Sequence, residues 1–433
     1  MMGAKDLATT WLDRLGFVGV SGAVVLYGFV RGNYWVSVHI DVAFLVLAVG
    51  FQEAFLSTLI FSGFVSLSGC LYFVALAVDG GETRTSGPTV AAIVPVYRDA
   101  AVLDRSVRSL LASTYEDLDV YVVCEPGDDA SIARARELAT HDRVTCLVND
   151  ASPGSKANAI NYAAGRTDGA LLGVFDADEV VHPSFVAAAV ARLDGDADLV
   201  QGRTVPEPTG LVESLAYSES VILSYVSRRL VYLLTGFRLA ASRAVVMDRE
   251  ALDAIGGYDP TMVTEDFDFA YRCYAERLTV SEDLRHPSRI EAAHTWRDWW
   301  GQRKRWMTGY AQVLHALGDR AFPPADHRDV LSVGICASTL LGSLLALSLF
   351  SKFVTVLLWG PDWLFLVPLV AVTLVTLLVR AADVALGVAD DLGFVWLLAP
   401  LVFPLYSLAA IKAVLEYLFS WEGEWYHVVK GDA

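Results

Sequence analysis

Asp176 and Asp178 stand two residues apart in the stretch Phe175-Asp176-Ala177-Asp178-Glu179, directly after an apolar run. In an extended chain, residues i and i+2 point to the same side. Two hard oxygen donors on one side suit Mg2+ or Mn2+ shared with phosphate oxygens. Such a metal would neutralise charge developing on a diphosphate leaving group. Taken alone, the pair is equally one more acidic loop in an acidic chain.

Three other groups could join that chemistry. Gly154-Ser155-Lys156-Ala157-Asn158-Ala159-Ile160-Asn161 runs from a Pro-Gly turn into a helix start. A helix N-terminus and a lysine both favour phosphate, although a solvated lysine explains the residue as well. Thr264-Glu265-Asp266 follows the turn-rich Gly256-Gly257-Tyr258-Asp259-Pro260 and opens a helical run. A carboxylate there can take a proton from an attacking hydroxyl if partial burial raises its pKa. The plainer account is helix capping by Thr264 with acids in the first turn. Gln302-Arg303-Lys304-Arg305-Trp306 sets three consecutive cations beside an indole. Cations hold diphosphate and an indole face stacks on a sugar ring; a basic, aromatic membrane border has the same composition.

The elements that must position these groups are legible from periodicity. Strand-like runs at Thr89–Tyr97, Asp119–Cys124, Arg143–Val148 and Ala170–Phe175 alternate with helical runs at Leu103–Leu111, Ala130–Ala139 and Lys156–Ala164. That alternation predicts an α/β domain with a parallel sheet and helices on both faces. Ligands then bind beyond the carboxyl ends of the strands, where the candidate residues fall.

The 433-residue chain is 54% hydrophobic, with apolar residues concentrated in 15–78 and 330–418. A membrane helix takes about 20 such residues. Leu15–Val30 is one candidate, and Val36–Val78 holds one span, roughly Leu56–Val78, or two. Val330–Leu358, Trp363–Val379 and Leu392–Leu415 follow, interrupted by Lys352, Arg380 and Asp383. The first apolar run is read as an anchor, not a cleaved leader. The expected division is therefore 1–79 with two or three membrane helices, a catalytic domain at 80–329, and 330–433 with about three helices and a short tail. Leu211–Leu234 has helical apolar spacing with charges between, which fits either a membrane-surface helix or a core helix.

A net charge of −17 excludes nucleic acid as a partner. Scarce lysine and abundant aspartate fit a salt-loving source. Five scattered cysteines imply neither a disulfide framework nor a zinc site.

Val94-Pro95-Val96-Tyr97-Arg98-Asp99, GSKANAIN, Asp-Ala-Asp, Thr-Glu-Asp and Gln-Arg-Lys-Arg-Trp occur in that order. The order resembles family 2 glycosyltransferases, in particular the membrane-integrated branch of cellulose, chitin, hyaluronan and poly-N-acetylglucosamine synthases. The resemblance covers about residues 88–315 plus the flanking helices. It implies a GT-A fold and inverting transfer from a nucleotide diphosphate sugar, with UDP as the expected nucleotide. Pro95, Tyr97 and Asp99 would line the nucleotide pocket. Glu125 or Asp128, in Cys124-Glu125-Pro126-Gly127-Asp128-Asp129, would contact the base, where the family usually has Asp-Asp-Gly. Lys156 would hold the nucleotide or its phosphates, Asp176 the nucleotide sugar, and Asp178 with Asp176 the metal, Mg2+ or Mn2+. Asp266, beside Glu265, would be the general base and Arg305 would support the leaving diphosphate. Gln302 and Trp306 would border the acceptor. The resemblance also implies a multi-pass protein of the plasma membrane, in contact with its lipid, with a cytoplasmic catalytic domain. The acceptor is a growing polysaccharide or a lipid-linked glycan; a transporter or scaffold with a degenerate domain is the reading from another class. The tail motif Trp421-Glu422-Gly423-Glu424-Trp425 is expected only to sit at an interface.

Overall fold

The computed structural model describes residues 37–42, 45–320, 326–359 and 363–420, with the single positions 15 and 19. The rest of the expected Leu15–Val30 span and the tail from Trp421 lie outside these residues.

The expected alternation is present. After an antiparallel ribbon of β1 (Ser37–Val42) and β2 (Leu45–Gly50), helix α1 runs over Phe51–Val78. The run from Val36 thus holds a ribbon and one helix. The domain then proceeds through β3 (Val90–Val96), α2 (Leu103–Leu111), β4 (Leu118–Cys124), α3 (Asp129–Leu138), β5 (Val144–Val148), α4 (Lys156–Ala164) and β6 (Leu171–Val174). Next come α5 (Phe185–Leu193), β7 (Leu199–Pro206), α6 (Leu211–Glu219), a π-helical segment (Ser220–Val226), α7 (Ser227–Thr235), β8 (Val245–Asp248), α8 (Arg249–Ile255), α9 (Glu265–Ala275) and β9 (Val280–Ile290).

Seven strands form one sheet in the order β5-β4-β3-β6-β8-β7-β9. The first four pair in parallel, as the periodicity predicts. The sheet as a whole is mixed, which corrects the all-parallel expectation. β8 runs antiparallel to both β6 and β7, because it enters from the loop after α7 at the opposite end. β3 reads Val-Ala-Ala-Ile-Val-Pro-Val and is almost wholly buried, as a central strand covered on both faces must be. Its side chains alternate between two cores. Val90, Ala92 and Val94 pack with α2 and α5; Ala91 and Ile93 pack with α4 and α9.

Helix α10 (Trp296–Arg320) leads from the domain to α11 (His327–Trp359), α12 (Val367–Ala385) and α13 (Ala399–Ser420). Among the described residues, four helical stretches are long and apolar enough to cross a membrane: Phe55–Val78, His327–Leu347, Val367–Ala385 and Val395–Ser420. Phe61, Phe350 and Phe403 join three of them, with Phe350 and Phe403 stacked at 5.0 Å. Leu211–Leu234 combines both expected readings. Leu215, Ala216 and Tyr217 are buried, whereas Leu211, Leu233 and Leu234 are exposed.

Candidate active site

The site lies beyond the carboxyl ends of β3, β4 and β6, roofed by α9 and α10. At β6 the chain turns at once: the Glu179 amide donates to the Asp176 carbonyl at 3.1 Å. The same-side argument for Asp176 and Asp178 assumed an extended chain and does not apply. The two carboxylates have different neighbours. Lys156 Nζ donates to Asp176 Oδ1 at 2.5 Å, and Arg243 lies 4.0 Å from Oδ2. Asp178 is buried and accepts the Glu291 amide at 3.3 Å.

Lys156 starts α4, where Ser155 caps the helix by accepting the Asn158 amide at 3.1 Å. Further along α4, Asn161 donates to the Tyr258 carbonyl and accepts its amide, at 2.7 and 2.9 Å. This pins the Gly256-Gly257-Tyr258 turn that delivers α9, and Gly257 sits there at φ +82° with Asn161 against it.

Thr264 precedes α9, but its hydroxyl makes no capping bond and is buried without a partner. The capping account therefore does not explain the acids. Glu265 accepts the Ser242 hydroxyl at 2.9 Å, and Asp266 accepts the Phe267 amide at 2.9 Å. Burial raises the Glu265 pKa, and the adjacent Asp266 charge adds to it. Opposing this are Lys156 and Arg305, both near enough to lower it. Gly309 brings α10 so close to α9 that a Cβ there would overlap Thr264.

The three consecutive cations go three ways, since neighbours on a helix are about 100° apart. Arg305 faces the site: burial lowers its pKa, while Glu265, Asp266 and Asp176 act in the other direction. Arg303 turns into the core and pairs with Glu219 at 2.8 Å. Lys304 pairs with Glu416 on α13. Gln302 Oε1 accepts from Arg303 at 2.5 Å, and the Arg303 guanidinium covers the Trp306 ring at 4.8 Å.

At the nucleotide end, Pro95 belongs to β3, Tyr97 is exposed under the Arg98 guanidinium at 5.0 Å, and the Asp99 carbonyl receives the first amides of α2. Glu125 accepts from Asn149 at 3.1 Å and from the Gly154 amide at 2.7 Å, holding the loop before Lys156. Asp128 caps α3 and accepts the Arg98 amide at 2.6 Å. Burial pushes its carboxyl up, but the Arg98 and Ser131 bonds outweigh this and hold it below the ordinary value.

Several residues here carried no sequence signal. Arg98 and Ala244 adopt positive φ, 59° and 44°, a strain that clusters at functional sites. The Ala244 amide and the Asp176 amide both donate to Glu179, at 3.2 and 3.1 Å. His294 bridges Glu291 and Glu213 at 2.7 and 2.8 Å, and those bonds raise its pKa. Only Glu179 was adjacent to a recognisable motif.

Burial, with Asp176 adding, pushes Glu179 up to about 7 from 4.5. Between those values the folded chain keeps a proton that the unfolded chain releases, so stability present below the lower value is lost as pH rises through the upper. The loss is on the order of 3 kcal/mol. Glu179→Gln keeps an oxygen for both amides. Thermal unfolding should show its melting temperature falling less than the wild type's from about pH 5 to about pH 8.

Among the described residues, no three His, Cys, Asp or Glu side chains converge as a metal cage. Mg2+ and Mn2+ do not need one: one or two carboxylates plus substrate phosphates suffice. Asp176 and Asp178 supply donors of that chemistry.

A sheet of this topology, with acids and cations gathered past its central strands, is that of the GT-A nucleotide-diphospho-sugar transferases. The chain is similar over 83% of its length, and 99% of the other chain's, to the mannosyltransferase PcManGT from Pyrobaculum calidifontis in complex with GDP-Man and Mn2+, with TM-score 0.50 and 15% identity. The profile of the family described as glycosyltransferase like family 2 matches residues 88–309, and the chain belongs to that family. It is 24% identical over 239 residues to a beta-monoglucosyldiacylglycerol synthase of Synechocystis sp., covering 54% of this chain and 50% of the relative. It is 30% identical over 119 residues to the glycosyltransferase AglE of Haloferax volcanii, covering 27% of this chain and 39% of that one. The chain spans about half the length of the first of these curated relatives.

Proposed function

We propose that the chain is a membrane-bound inverting glycosyltransferase that moves a sugar from a nucleotide diphosphate sugar, UDP-linked by preference, to an acceptor hydroxyl at the bilayer. The observation that carries this is the apposition of Asp176, Lys156 and Arg305 with the Glu265–Asp266 pair. Lys156 and Arg305 supply positive charge for a leaving diphosphate. Asp176 and Asp178 hold a divalent metal that offsets the diphosphate charge when bound. Asp266 takes the proton from the acceptor.

Two acceptor classes fit a family member with membrane helices. Transfer to a lipid-linked acceptor is favoured by the placement of Trp306, whose ring is covered by Arg303 and so presents that face to no sugar. The similarity to synthases named for a glucosylated diacylglycerol points the same way. Extension of a growing polysaccharide is the second reading, supported by the Gln-Arg-Lys-Arg-Trp run. The bilayer is read as the plasma membrane, with the domain on the cytoplasmic side.

The test is purified protein with a panel of nucleotide sugars and either a glycolipid or an oligosaccharide acceptor. A single-sugar lipid product supports the first acceptor class, and a long soluble polymer the second. No transfer from any donor would sink the reading. Chelation is expected to abolish transfer, with Mn2+ or Mg2+ restoring it; an unchanged rate would remove the metal role of Asp178.

A further inference from the structure

Strand β7 carries two polar side chains that its buried position does not require, Gln201 and Arg203. Arg203 is 2% exposed and meets Asp383, 0% exposed, on the membrane helix α12. The contact is a two-bond fork, Nη1 to Oδ1 at 2.5 Å and Nη2 to Oδ2 at 2.9 Å. Tyr217 of α6 donates to the same carboxylate at 2.6 Å. A charge inside a membrane helix is expensive and usually functional. Packing alone would join the two elements without fixing their register, whereas a planar guanidinium–carboxylate fork fixes it.

Two residues back along β7, Gln201 does the corresponding job toward the site. Its Oε1 accepts the Ala241 amide at 2.6 Å, and its Nε2 donates to the Arg243 carbonyl at 3.0 Å and the Ala244 carbonyl at 3.2 Å. The 241–244 loop so held presents Ser242 to Glu265 and the Ala244 amide to Glu179. β7 therefore has a membrane helix fixed at one point and the catalytic loop at another.

We propose that Asp383 and Arg203 are positioning residues: their pair sets β7, and through Gln201 the 241–244 loop, so that the placement of helix α12 in the bilayer controls the geometry around Glu265 and Glu179. The link itself is a property of the fold; its effect on turnover rests on the function proposed above.

Hydrogen exchange on the full-length protein in lipid nanodiscs reads the link without any substrate. Asp383→Asn removes the charge and keeps the shape. It is expected to speed exchange of the Ala241 and Ala244 amides by at least about tenfold while 185–193, in the same domain, stays as in the wild type. Gln201→Ala should give the same local pattern. In transfer assays Asp383→Asn should lower kcat several-fold with the donor KM within about twofold. The two variants combined should be no worse than the more severe one, since both break a single chain of contacts. If Asp383→Asn does not fold, Arg203→Met with Asp383→Leu replaces the pair by apolar groups, which folded proteins commonly tolerate. The same exchange increase is expected there. Unchanged exchange at Ala241 and Ala244, or an equal rise across 185–193, overturns the proposal by reducing the pair to a general anchor. A wild type without transfer activity but with the local exchange effect would overturn the proposed function and the effect on turnover, and leave the link standing.

Discussion

Asp266→Asn is expected to lower kcat for transfer by about 10²–10⁴-fold with the donor KM nearly unchanged, the size of a lost general base. The asparagine keeps an oxygen for the Phe267 amide that Asp266 accepts at 2.9 Å, so α9 should start as before. The neighbouring carboxylate supplies the control. Glu265 has the raised pKa, from burial first and from Asp266 second, and it is tied to Ser242. Removing the Asp266 charge therefore relieves Glu265 and should draw its pKa back down. Glu265→Gln is expected to be the milder change, since its tie to Ser242 engages it in holding the loop. A larger kcat loss in Glu265→Gln than in Asp266→Asn would transfer the base role to Glu265.

Arg303→Met should cost about 3–5 kcal/mol of stability, because it leaves Glu219 charged and buried without its partner. The pair is nearly inaccessible on both sides and Arg303 engages both Glu219 oxygens, at 3.1 and 2.8 Å. Burial raises the Glu219 pKa, and Arg303 is the group that opposes that rise. Thermal unfolding in detergent is the measurement, with two comparisons. Lys304→Met, one residue along, loses a half-exposed bond to Glu416 and should cost under about 1 kcal/mol. Arg303→Met combined with Glu219→Leu removes both charges and should recover most of the loss. An equal effect from Lys304→Met would mean that the buried pair contributes nothing special.

The order of short motifs along the chain was enough to place Lys156, Asp176, Asp266 and Arg305 around one site, because each sits at an element end that periodicity marks. The first four strands were legible for the same reason: their apolar runs are short and bounded by turns. What escaped was anything decided by a partner far away in sequence. Arg203 and Asp383 meet across 180 residues. Neither neighbourhood hints at the other. Arg303, Lys304 and Arg305 look equivalent as letters, and only helical rotation separates a core ion pair, a surface one and a site residue. The reversal of β8 was hidden because strand direction depends on where the preceding loop emerges, which composition does not record. The turn after Phe175 was missed because two acids after a strand say nothing about where the strand stops.

The π-helical segment at Ser220–Val226 bears on how this chain can change length. A π turn closes i to i+5 and so absorbs one residue more than the α-helix around it. The segment is fixed on both sides, upstream by Ser218 on the Val395 carbonyl at 2.8 Å and downstream by Arg229 on Glu282 at 2.6 Å. An extra residue in such a stretch has nowhere to go but outward into a wider turn. Taking one out would wind the segment back to an α-helix and rotate everything after it by about 100°. Tyr225 would then leave the Thr204 amide that it reaches at 2.7 Å. Insertions and deletions in this stretch are therefore quantised: the segment tolerates exchange of one residue for another far better than the gain or loss of one.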